Sequence, residues 1–236
     1  MSLRKSFESH RGRSIAKIDH FFDIYEPHLA RFRRDAVKVL EIGVDKGGSL
    51  ELWQHYFGEQ AEVHGIDLNP ETLSCAPPGC HVHIGRQDDP TFIDGILANH
   101  GPFDIVIDDG SHLPRDQVAS FELIYPRLSE HGIYICEDTF TGYWADYRDH
   151  DPTAVPFVDY ARQLVDDLHG FWRGDGGPQP SAFTRITRGI YFYSGATVLE
   201  RQPVTEPVYV TRNGDDLVVT NVEELKAAAK KHFNPS

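Results

Sequence analysis

The stretch DIVIDDGSHLPRD, residues 104–116, ends an apolar run with two adjacent acids and then a histidine. Asp108 and Asp109 close the run, and His112 follows them across a Gly-Ser pair. Crowding two carboxylates and an imidazole costs repulsion and desolvation energy, so such groups gather mainly where they are used. Two acids and a base at the end of one strand indicate a site that binds a cation and moves a proton.

A second pair of acids, Glu137 and Asp138, follows the next apolar run, residues 132–136. Neighbouring parallel strands end side by side, so Asp109, Glu137 and Asp138 are predicted to converge on one point. Hard oxygen ligands, with no cysteine or histidine among them, favour Mg²⁺. The sequence therefore predicts a magnesium site, with three solvated strand-end acids as the alternative.

Strands and helices alternate around these acids. Strands are predicted at 37–44, 62–68, 81–85, 103–109 and 132–138, with helices between them. Because these strands are almost continuously apolar, they indicate an α/β fold with a Rossmann-like doubly wound sheet, mostly parallel. The prediction is one domain, 1–236, made of an N-terminal helical segment (1–35), a Rossmann-like core (36–202) and a C-terminal extension (203–236).

The flanking segments have weaker patterns. Apolar spacing predicts a helix over residues 14–34. Residues 184–202 predict an antiparallel C-terminal hairpin at one edge of the sheet, and Asn213-Gly214 predicts the turn of a later hairpin before a final helix. Residues 173–181, rich in glycine and proline, predict a loop that can close over a substrate.

A glycine turn after the first strand and an acid after the second predict a nucleotide-like cofactor pocket. Gly43 and Gly47 permit close backbone approach, and Asp67 is positioned to accept hydrogen bonds from both hydroxyls of a ribose. Asp88, after the third strand, can accept from an adenine amino group. The residues predicted from this pattern to contact a cofactor are Glu41, Gly43, Gly47, Ser49, Asp67, Gln87 and Asp88.

Two cofactors fit a glycine turn followed by a ribose-binding acid: a dinucleotide and S-adenosylmethionine. The dinucleotide fingerprint G-x-G-x-x-G is absent, because Asp45 stands where its second glycine would be. An acid there would repel a pyrophosphate, whereas Glu41 and Asp45 suit a cofactor with an ammonium and a sulfonium. The sequence favours S-adenosylmethionine, and a tight strand-helix turn without any cofactor is the alternative.

The motifs VLEIGVDKGGSL, HGIDLNP, IDDGSH and GIYICEDT resemble those of the class I S-adenosylmethionine-dependent methyltransferases. Within that class they are most similar to the metal-dependent sugar O-methyltransferases of the mycinamicin and calicheamicin pathways, and the cephalosporin hydroxylase family shares similar motifs. The resemblance covers about residues 15–200. It implies that Asp109, Glu137 and Asp138 bind Mg²⁺, that Asp108 faces the cofactor and that His112 removes a proton.

The chemistry of a sugar hydroxyl explains these residue types. The hydroxyl is a poor nucleophile at neutral pH, and a bound Mg²⁺ would orient it and make it more acidic. His112, three residues after Asp109, can take the proton because imidazole titrates near neutral pH. The aromatic residues Tyr143, Trp144 and Tyr147 follow the acid pair and are the expected walls of a sugar or glycoside site, with core packing as the alternative for each.

Composition narrows the partners. The net charge is −13, and residues 101–176 carry fifteen acids against five Lys/Arg, so no nucleic-acid partner is expected. There is no apolar stretch of roughly 18 residues, so no membrane partner is expected, and a cytoplasmic location is predicted. Three cysteines without paired metal spacing indicate reduced thiols; a zinc site at Cys75 and Cys80 is the alternative.

Four functions remain open from sequence. The first is the sugar O-methyltransferase just described, acting alone or as a homo-oligomer. The second is a catechol-type aromatic O-methyltransferase, although such enzymes usually carry lysine where this chain has His112. The third is a cephalosporin hydroxylase-like or non-catalytic cofactor-binding protein, and the last is a dehydrogenase.

Overall fold

A seven-stranded sheet forms the centre of the computed structural model, which describes residues 1–33, 36–148, 150–173 and 179–233. Its strands are β1 (Lys38–Ile42), β2 (Glu62–Asp67), β3 (Cys80–Ile84), β4 (Ile105–Asp108), β5 (Ile133–Cys136), β6 (Thr187–Phe192) and β7 (Thr197–Arg201). They lie in the order β3-β2-β1-β4-β5-β7-β6, in which β1 to β5 are parallel and β7 is antiparallel to both its neighbours. The predicted Rossmann-like, mostly parallel sheet with an antiparallel C-terminal hairpin is confirmed.

Helices cover both faces of this sheet. They are α1 (Leu3–Ser9), α2 (Phe21–Leu29), α3 (Gly48–Phe57), α4 (Pro90–His100), α5 (Pro114–Ile124), α6 (Ala145–Arg148), α7 (Phe157–Leu168), α8 (Ala182–Ile186) and α9 (Val222–Phe233). Among the described residues, none of these helices has both the length and the apolar character needed to cross a membrane.

Successive residues of each strand contribute to two hydrophobic cores, one on each face of the sheet. Val39 and Ile107 pack with Trp53 of α3 in the core that also contains α1 and α2. Leu40 and Val106 pack in the other core, which α4, α5 and α7 complete. Side chains alternate across a strand, so a strand between two cores is mostly apolar on both faces. This pattern makes the strands easy to recognise in the sequence. It does not show which face of the sheet each side chain lies on.

The helix predicted over residues 14–34 is wrong for residues 14–20 and confirmed for residues 21–29. Residues 14–18 have no regular structure, and α2 begins only at Phe21. The backbone N–H of Arg13 donates to Glu51 Oε2 at 2.8 Å, and the side chain of Lys17 enters a group of buried carboxylates. These long-range contacts outweigh the local helical periodicity, and they hold the segment across the carboxyl end of the sheet.

The C-terminal extension contains the second hairpin that the sequence predicts. Strands β8 (Val208–Asn213) and β9 (Asp216–Asn221) pair with each other and form a separate two-stranded sheet, which α9 follows. Residues 174–178, most of the loop predicted at 173–181, lie outside the described residues.

Candidate active site

A cavity of about 580 Å³ opens at the carboxyl ends of β1, β2, β4 and β5. Gly43, Asp67, Asp109 and Asp138 line it from the four strand ends, and residues 14–17 close one side. The volume is in the range of small-molecule sites, and the carboxyl edge of a parallel sheet is where such folds bind ligands. The sheet and the N-terminal segment therefore enclose a space large enough for a nucleoside-sized cofactor and an acceptor group.

Three residues in the wall of this cavity have left-handed backbone conformations although they are not glycine. Asp45 has φ 45°, His112 has φ 57° and Asp138 has φ 51°, and the described chain has no other non-glycine residue of this kind. Such conformations cost free energy and concentrate where a side chain must be held in one direction. Their location around one cavity marks it as functional.

The glycine turn fits closely against the end of β4. Gly43 has φ 94°, and a Cβ added there would lie 2.1 Å from the backbone oxygen of Asp109, so no other residue fits. Asp67 Oδ2 accepts hydrogen bonds from the backbone N–H of Val44 at 2.9 Å and of Asp45 at 3.3 Å. The acid at the end of β2 thus braces the turn while its carboxylate still borders the cavity.

A second cavity of about 210 Å³ shares Gly43, Asp67 and Gly110 with the first. Gln87 and Asp88, two of the residues predicted to contact the cofactor, line it. Gln87 Oε1 accepts the backbone N–H of Ser111 at 2.9 Å. The two cavities together form an elongated site that suits a nucleoside at one end and reacting groups at the other.

Three residues predicted to contact the cofactor, Asp108, Glu41 and Gly47, line neither cavity. Asp108 is fully buried and accepts hydrogen bonds from Tyr134 Oη at 2.7 Å, from Gln87 Nε2 at 3.1 Å and from the Ser120 hydroxyl. Glu41 is also fully buried and accepts from Ser49 Oγ at 2.6 Å. Strand alternation turns these carboxylates beneath α5 and α3, where they support residues of the cavity wall.

Of the remaining cofactor predictions, Gly43, Ser49 and Asp67 border the larger cavity. Gly47 borders neither, but it begins α3 with φ 75°, and a Cβ there would lie 2.1 Å from the backbone oxygen of Cys75. Its role in this structure is to let the chain after β2 approach the start of α3.

Asp109, His112 and Asp138, here called the strand-end cluster, converge at the floor of the larger cavity. One ligand-type atom from each lies within 4.8 Å of the others. His112 Nε2 is 3.7 Å from Asp138 Oδ2, and His112 Nδ1 is buried without a hydrogen-bond partner among the described residues. Two carboxylates, an imidazole and an orphaned ring nitrogen at one point fit a hard divalent cation beside a proton acceptor.

Glu137, the third predicted metal ligand, is 1% exposed and has other partners in this structure. Lys17 Nζ lies 2.9 Å from Glu137 Oε1, 2.5 Å from Asp109 Oδ2 and 3.5 Å from Glu41 Oε1. The Tyr25 hydroxyl also donates to Glu137 Oε1. The acids therefore divide into two layers. The buried layer is Glu41 and Glu137, which lie beside Lys17, and the upper layer is Asp109 and Asp138, which border the cavity.

Burial and neighbouring charge set the electrostatics of both layers. Burial, with repulsion from Asp109, raises the pKa of Glu137 to about 8, although Lys17 opposes the shift. Burial also raises the pKa of Asp138, which His112 partly offsets. Burial lowers the pKa of Lys17, but attraction by Glu137 and the other neighbours outweighs it, so the pKa lies well above the ordinary value. Because the pKa values of Glu137 and Asp138 are raised, a positive charge bound beside these carboxyls would stabilise the site.

Known proteins resemble this chain in sequence and structure. Residues 40–139 match the family model described as a methyltransferase domain. L-olivosyl-oleandolide 3-O-methyltransferase of Streptomyces antibioticus is 32% identical over 193 residues, covering 77% of this chain and 50% of that protein. Demethylmacrocin O-methyltransferase of Streptomyces fradiae is 32% identical over 211 residues, covering 84% and 53%.

A solved structure of the MycE methyltransferase from the mycinamicin biosynthetic pathway, in complex with Mg and SAH, superposes with a TM-score of 0.77. The two are 26% identical, and the match covers 97% of this chain and 60% of MycE. Residues 40–139 of the chain thus form a methyltransferase domain. The chain spans about half the length of the curated relatives it matches.

Two of the three aromatic residues predicted to contact a substrate lie on the surface, and the third stands beside His112. Tyr143 and Trp144 are 69% and 52% exposed. The Tyr147 ring stands 6.5 Å from the His112 ring and 6.0 Å from the Trp144 ring, measured between centroids. Their exposure argues against core packing for Tyr143 and Trp144, and their role as acceptor walls stays a prediction.

Lys17 is the residue of the candidate site that sequence reasoning missed. It lies 92 positions from Asp109 and 120 from Glu137, in a segment predicted to be helical. The only available signal was charge: three clustered carboxylates without a local cation require one from elsewhere in the chain.

Proposed function

We propose that this chain is an S-adenosylmethionine- and Mg²⁺-dependent O-methyltransferase that acts on a hydroxyl of a sugar or glycoside. The observation that carries the proposal is that the strand-end cluster shares one cavity with Gly43 and Asp67. The name L-olivosyl-oleandolide 3-O-methyltransferase supports the acceptor class, since it specifies a glycosylated acceptor. MycE has been solved with Mg, SAH and mycinamicin VI, which supports both cofactors.

The cofactor would lie along the two cavities. Asp67 would accept hydrogen bonds from the ribose hydroxyls, and Gln87 and Asp88 would border the adenine. The Asp88 carboxylate is paired with Arg86 at 2.8 Å and Arg115 at 3.0 Å, so its direction is already fixed. The methionine end and the sulfonium would then lie in the larger cavity, toward the acids at the strand ends.

Asp109 and Asp138 would hold the metal from the strand ends. When bound, Mg²⁺ supplies Lewis acidity and orients the acceptor hydroxyl. Lys17 and Glu137 lie below them, and the short contact of Lys17 Nζ with Asp109 Oδ2 fixes the direction of that carboxylate. The Lys17 ammonium offsets negative charge in the buried layer. The carboxylates of Asp109 and Asp138 can therefore face the cavity with less repulsion from the acids beneath them.

His112 would act as the general base. It receives the hydroxyl proton, and the acceptor oxygen forms a bond to the methyl carbon as the carbon–sulfur bond breaks. The electron pair of that bond stays on sulfur, which leaves as the neutral thioether of S-adenosylhomocysteine. Positioning supplies much of the rate in such an in-line transfer, and the fixed backbone of His112 serves that purpose.

The structure disfavours a lysine base of the catechol type. Lys17 is the lysine beside the acids, but its side chain is 2% exposed and its raised pKa keeps it protonated. A protonated, buried ammonium cannot accept a proton from an acceptor in the cavity. His112, rather than Lys17, is therefore the residue placed to accept a proton beside the strand-end acids.

Methyl transfer from labelled S-adenosylmethionine to a panel of acceptors tests the proposal. The panel contains deoxysugar glycosides, free sugars and a catechol, each assayed with Mg²⁺ and with excess EDTA. We expect transfer to at least one glycoside, loss of transfer in EDTA and recovery when Mg²⁺ is restored. Full activity in EDTA would remove the metal role, catechol methylation alone would replace the acceptor class, and cofactor binding without any turnover would favour a non-catalytic protein.

A further inference from the structure

Four histidines, His64, His81, His83 and His100, form a second cluster of potential ligands, here called the histidine cluster. His64 lies on β2, His81 and His83 on β3, and His100 is the last residue of α4. They share the face of the sheet that α4 covers, since His64 pairs in register with His81. None of the four borders either cavity of the candidate active site.

Three of these side chains aim at a common point. One nitrogen each from His64, His83 and His100 lies within 4.8 Å of the others. His64 Nδ1 is 2.9 Å from His83 Nε2, and their rings are parallel, with an angle of 3° between the planes. This is a hydrogen-bond distance, and the two nitrogens need separate by only about 0.4 Å to reach the roughly 3.3 Å spacing of imidazoles on one tetrahedral ion. His81 stacks on the His64 ring at 4.8 Å and is not one of the three.

The other nitrogen of His64 is held by a carboxylate. His64 Nε2 lies 2.8 Å from Glu62 Oε1, and Glu62 is paired with Lys38 at 3.4 Å. A carboxylate that accepts from the distal N–H of a histidine fixes the tautomer whose free nitrogen points at the metal. Here that tautomer directs a lone pair from Nδ1 of His64 toward the point shared with His83 and His100.

The burial of the cluster suits an ion that enters from solvent and stays. His64 is fully buried, whereas His83 and His100 are half-buried, which leaves an approach from the surface. Imidazole nitrogens are common ligands of such ions.

We propose that His64, His83 and His100 form a structural site for a borderline divalent metal such as Zn²⁺, separate from the candidate active site. Three imidazoles leave one tetrahedral position for water. The ion would join β2, β3 and the end of α4, and so would stabilise that edge of the sheet without taking part in methyl transfer.

The test is a Co²⁺ titration of full-length protein that carries no polyhistidine tag and has been stripped with a chelator. Excess Mg²⁺ is present so that the strand-end acids do not compete for the probe. We expect one equivalent of Co²⁺ to produce the strong visible absorption of a tetrahedral site, Zn²⁺ to abolish that absorption, and Zn²⁺ to raise the melting temperature.

Variants assign the site. His83→Gln and His100→Gln should each weaken Co²⁺ binding at least about tenfold, and Glu62→Gln should weaken it roughly 10–100-fold. His81→Gln is the matched control and should bind as the wild type does. Circular dichroism checks that each variant is folded, and fully buried His64 is left unchanged. No saturable Co²⁺ absorption, or absorption that survives in both ligand variants or is lost equally in His81→Gln, would overturn the proposal.

Discussion

The strand-end cluster and the histidine cluster both bring three possible ligands together, but they do so in different ways. Asp109, His112 and Asp138 lie in the loops after β4 and β5, and two of the three have left-handed backbone. His64 and His83 lie inside regular strands, and the bond between them continues to Glu62. One cluster is assembled by strained turns and the other by ordinary strand register.

The difference reflects what each cluster would have to do. A group that meets a substrate must project from the backbone into a cavity, and strand ends with unusual dihedrals provide this at a cost in stability. A structural ion requires only side chains that already face one another, which neighbouring strands supply without strain. We therefore expect activity to depend on the strained cluster and stability at one sheet edge to depend on the regular one.

His112→Asn should give the largest difference in kcat between a variant of the strand-end cluster and a variant of the histidine cluster. Asparagine tolerates the left-handed backbone of residue 112 but cannot serve as a base at neutral pH. We expect kcat to fall by roughly 10²–10⁴-fold, the range for loss of a general base, while cofactor binding measured by calorimetry is nearly unchanged.

His83→Gln is the matched control, because it removes a histidine of similar exposure from the other cluster. It should keep the wild-type kcat. If it lowers kcat as far as His112→Asn does, the two clusters are not functionally distinct and the comparison fails.

Lys17→Met should have the next largest effect, on stability. It leaves the carboxylates of Glu41, Asp109 and Glu137 without their buried cation. Removing one partner of a buried charge network typically costs about 3–5 kcal/mol, which urea unfolding would measure. Because the vacated position lies among carboxylates, Mg²⁺ should restore more stability to the variant than to the wild type.

Lys46→Met is the control for this prediction. Lys46 pairs with Asp45 on the surface, so the variant should change the free energy of unfolding by less than about 0.5 kcal/mol. Stability of Lys17→Met equal to that of the wild type would mean that the buried acids are neutral and do not need the lysine.

Asp67 variants test the cofactor end of the strained site. Asp67→Ala should weaken S-adenosylmethionine binding by roughly 1–3 kcal/mol, through loss of charge-assisted hydrogen bonds to the ribose. Asp67→Asn retains an oxygen that can accept from the Val44 N–H, so it separates ribose binding from bracing of the turn. Calorimetry that finds unchanged affinity in both variants would remove the ribose role, and Co²⁺ binding by the histidine cluster should be the same in both.

The contrast between the clusters also explains what sequence can predict here. The strand ends, the turn at Gly43 and the acid at Asp67 are local patterns in the sequence. They predict a binding site at the carboxyl edge of the sheet. The burial of Glu41 and Asp108 cannot be read from the sequence, because β1 and β4 are mostly apolar on both faces and hydropathy does not show which way a carboxylate turns. Sequence reasoning did not identify the histidine cluster, although the alternation of His81 and His83 on one strand was a usable signal.

Lys17 could not be predicted from local pattern, because its position depends on contacts more than ninety residues away. The same contacts decide that residues 14–18 are not helical. Sequence periodicity reports which residues face a core, whereas the path of an irregular segment depends on the charges it meets. The segment that closes the cavity was for this reason the least predictable part of the site.

The smallest expected effect concerns the attachment of that segment to α3. Glu51 accepts the backbone N–H of Arg13, pairs with the Arg13 guanidinium and lies 3.4 Å from His10 Nε2. Residues 14–17 form one wall of the larger cavity, so loosening Arg13 should loosen that wall. Glu51→Gln should weaken cofactor binding by about 1 kcal/mol, as for a partly exposed charge-assisted bond, and the exposed Glu59→Gln should not.

The pH dependence of this attachment has a defined sign. Partial burial acts to raise the pKa of Glu51, but the bonds from Arg13 outweigh it and leave the pKa below its ordinary value. An acid whose pKa is lower in the folded state stabilises that state above its ordinary pKa, and the contribution disappears as pH falls through the lowered value. The wild type should therefore be more stable than Glu51→Gln at pH 7, and the gap should close below about pH 4. A gap in the free energy of unfolding that stays constant from pH 7 to pH 3 would show that the charge on Glu51 does not hold the segment.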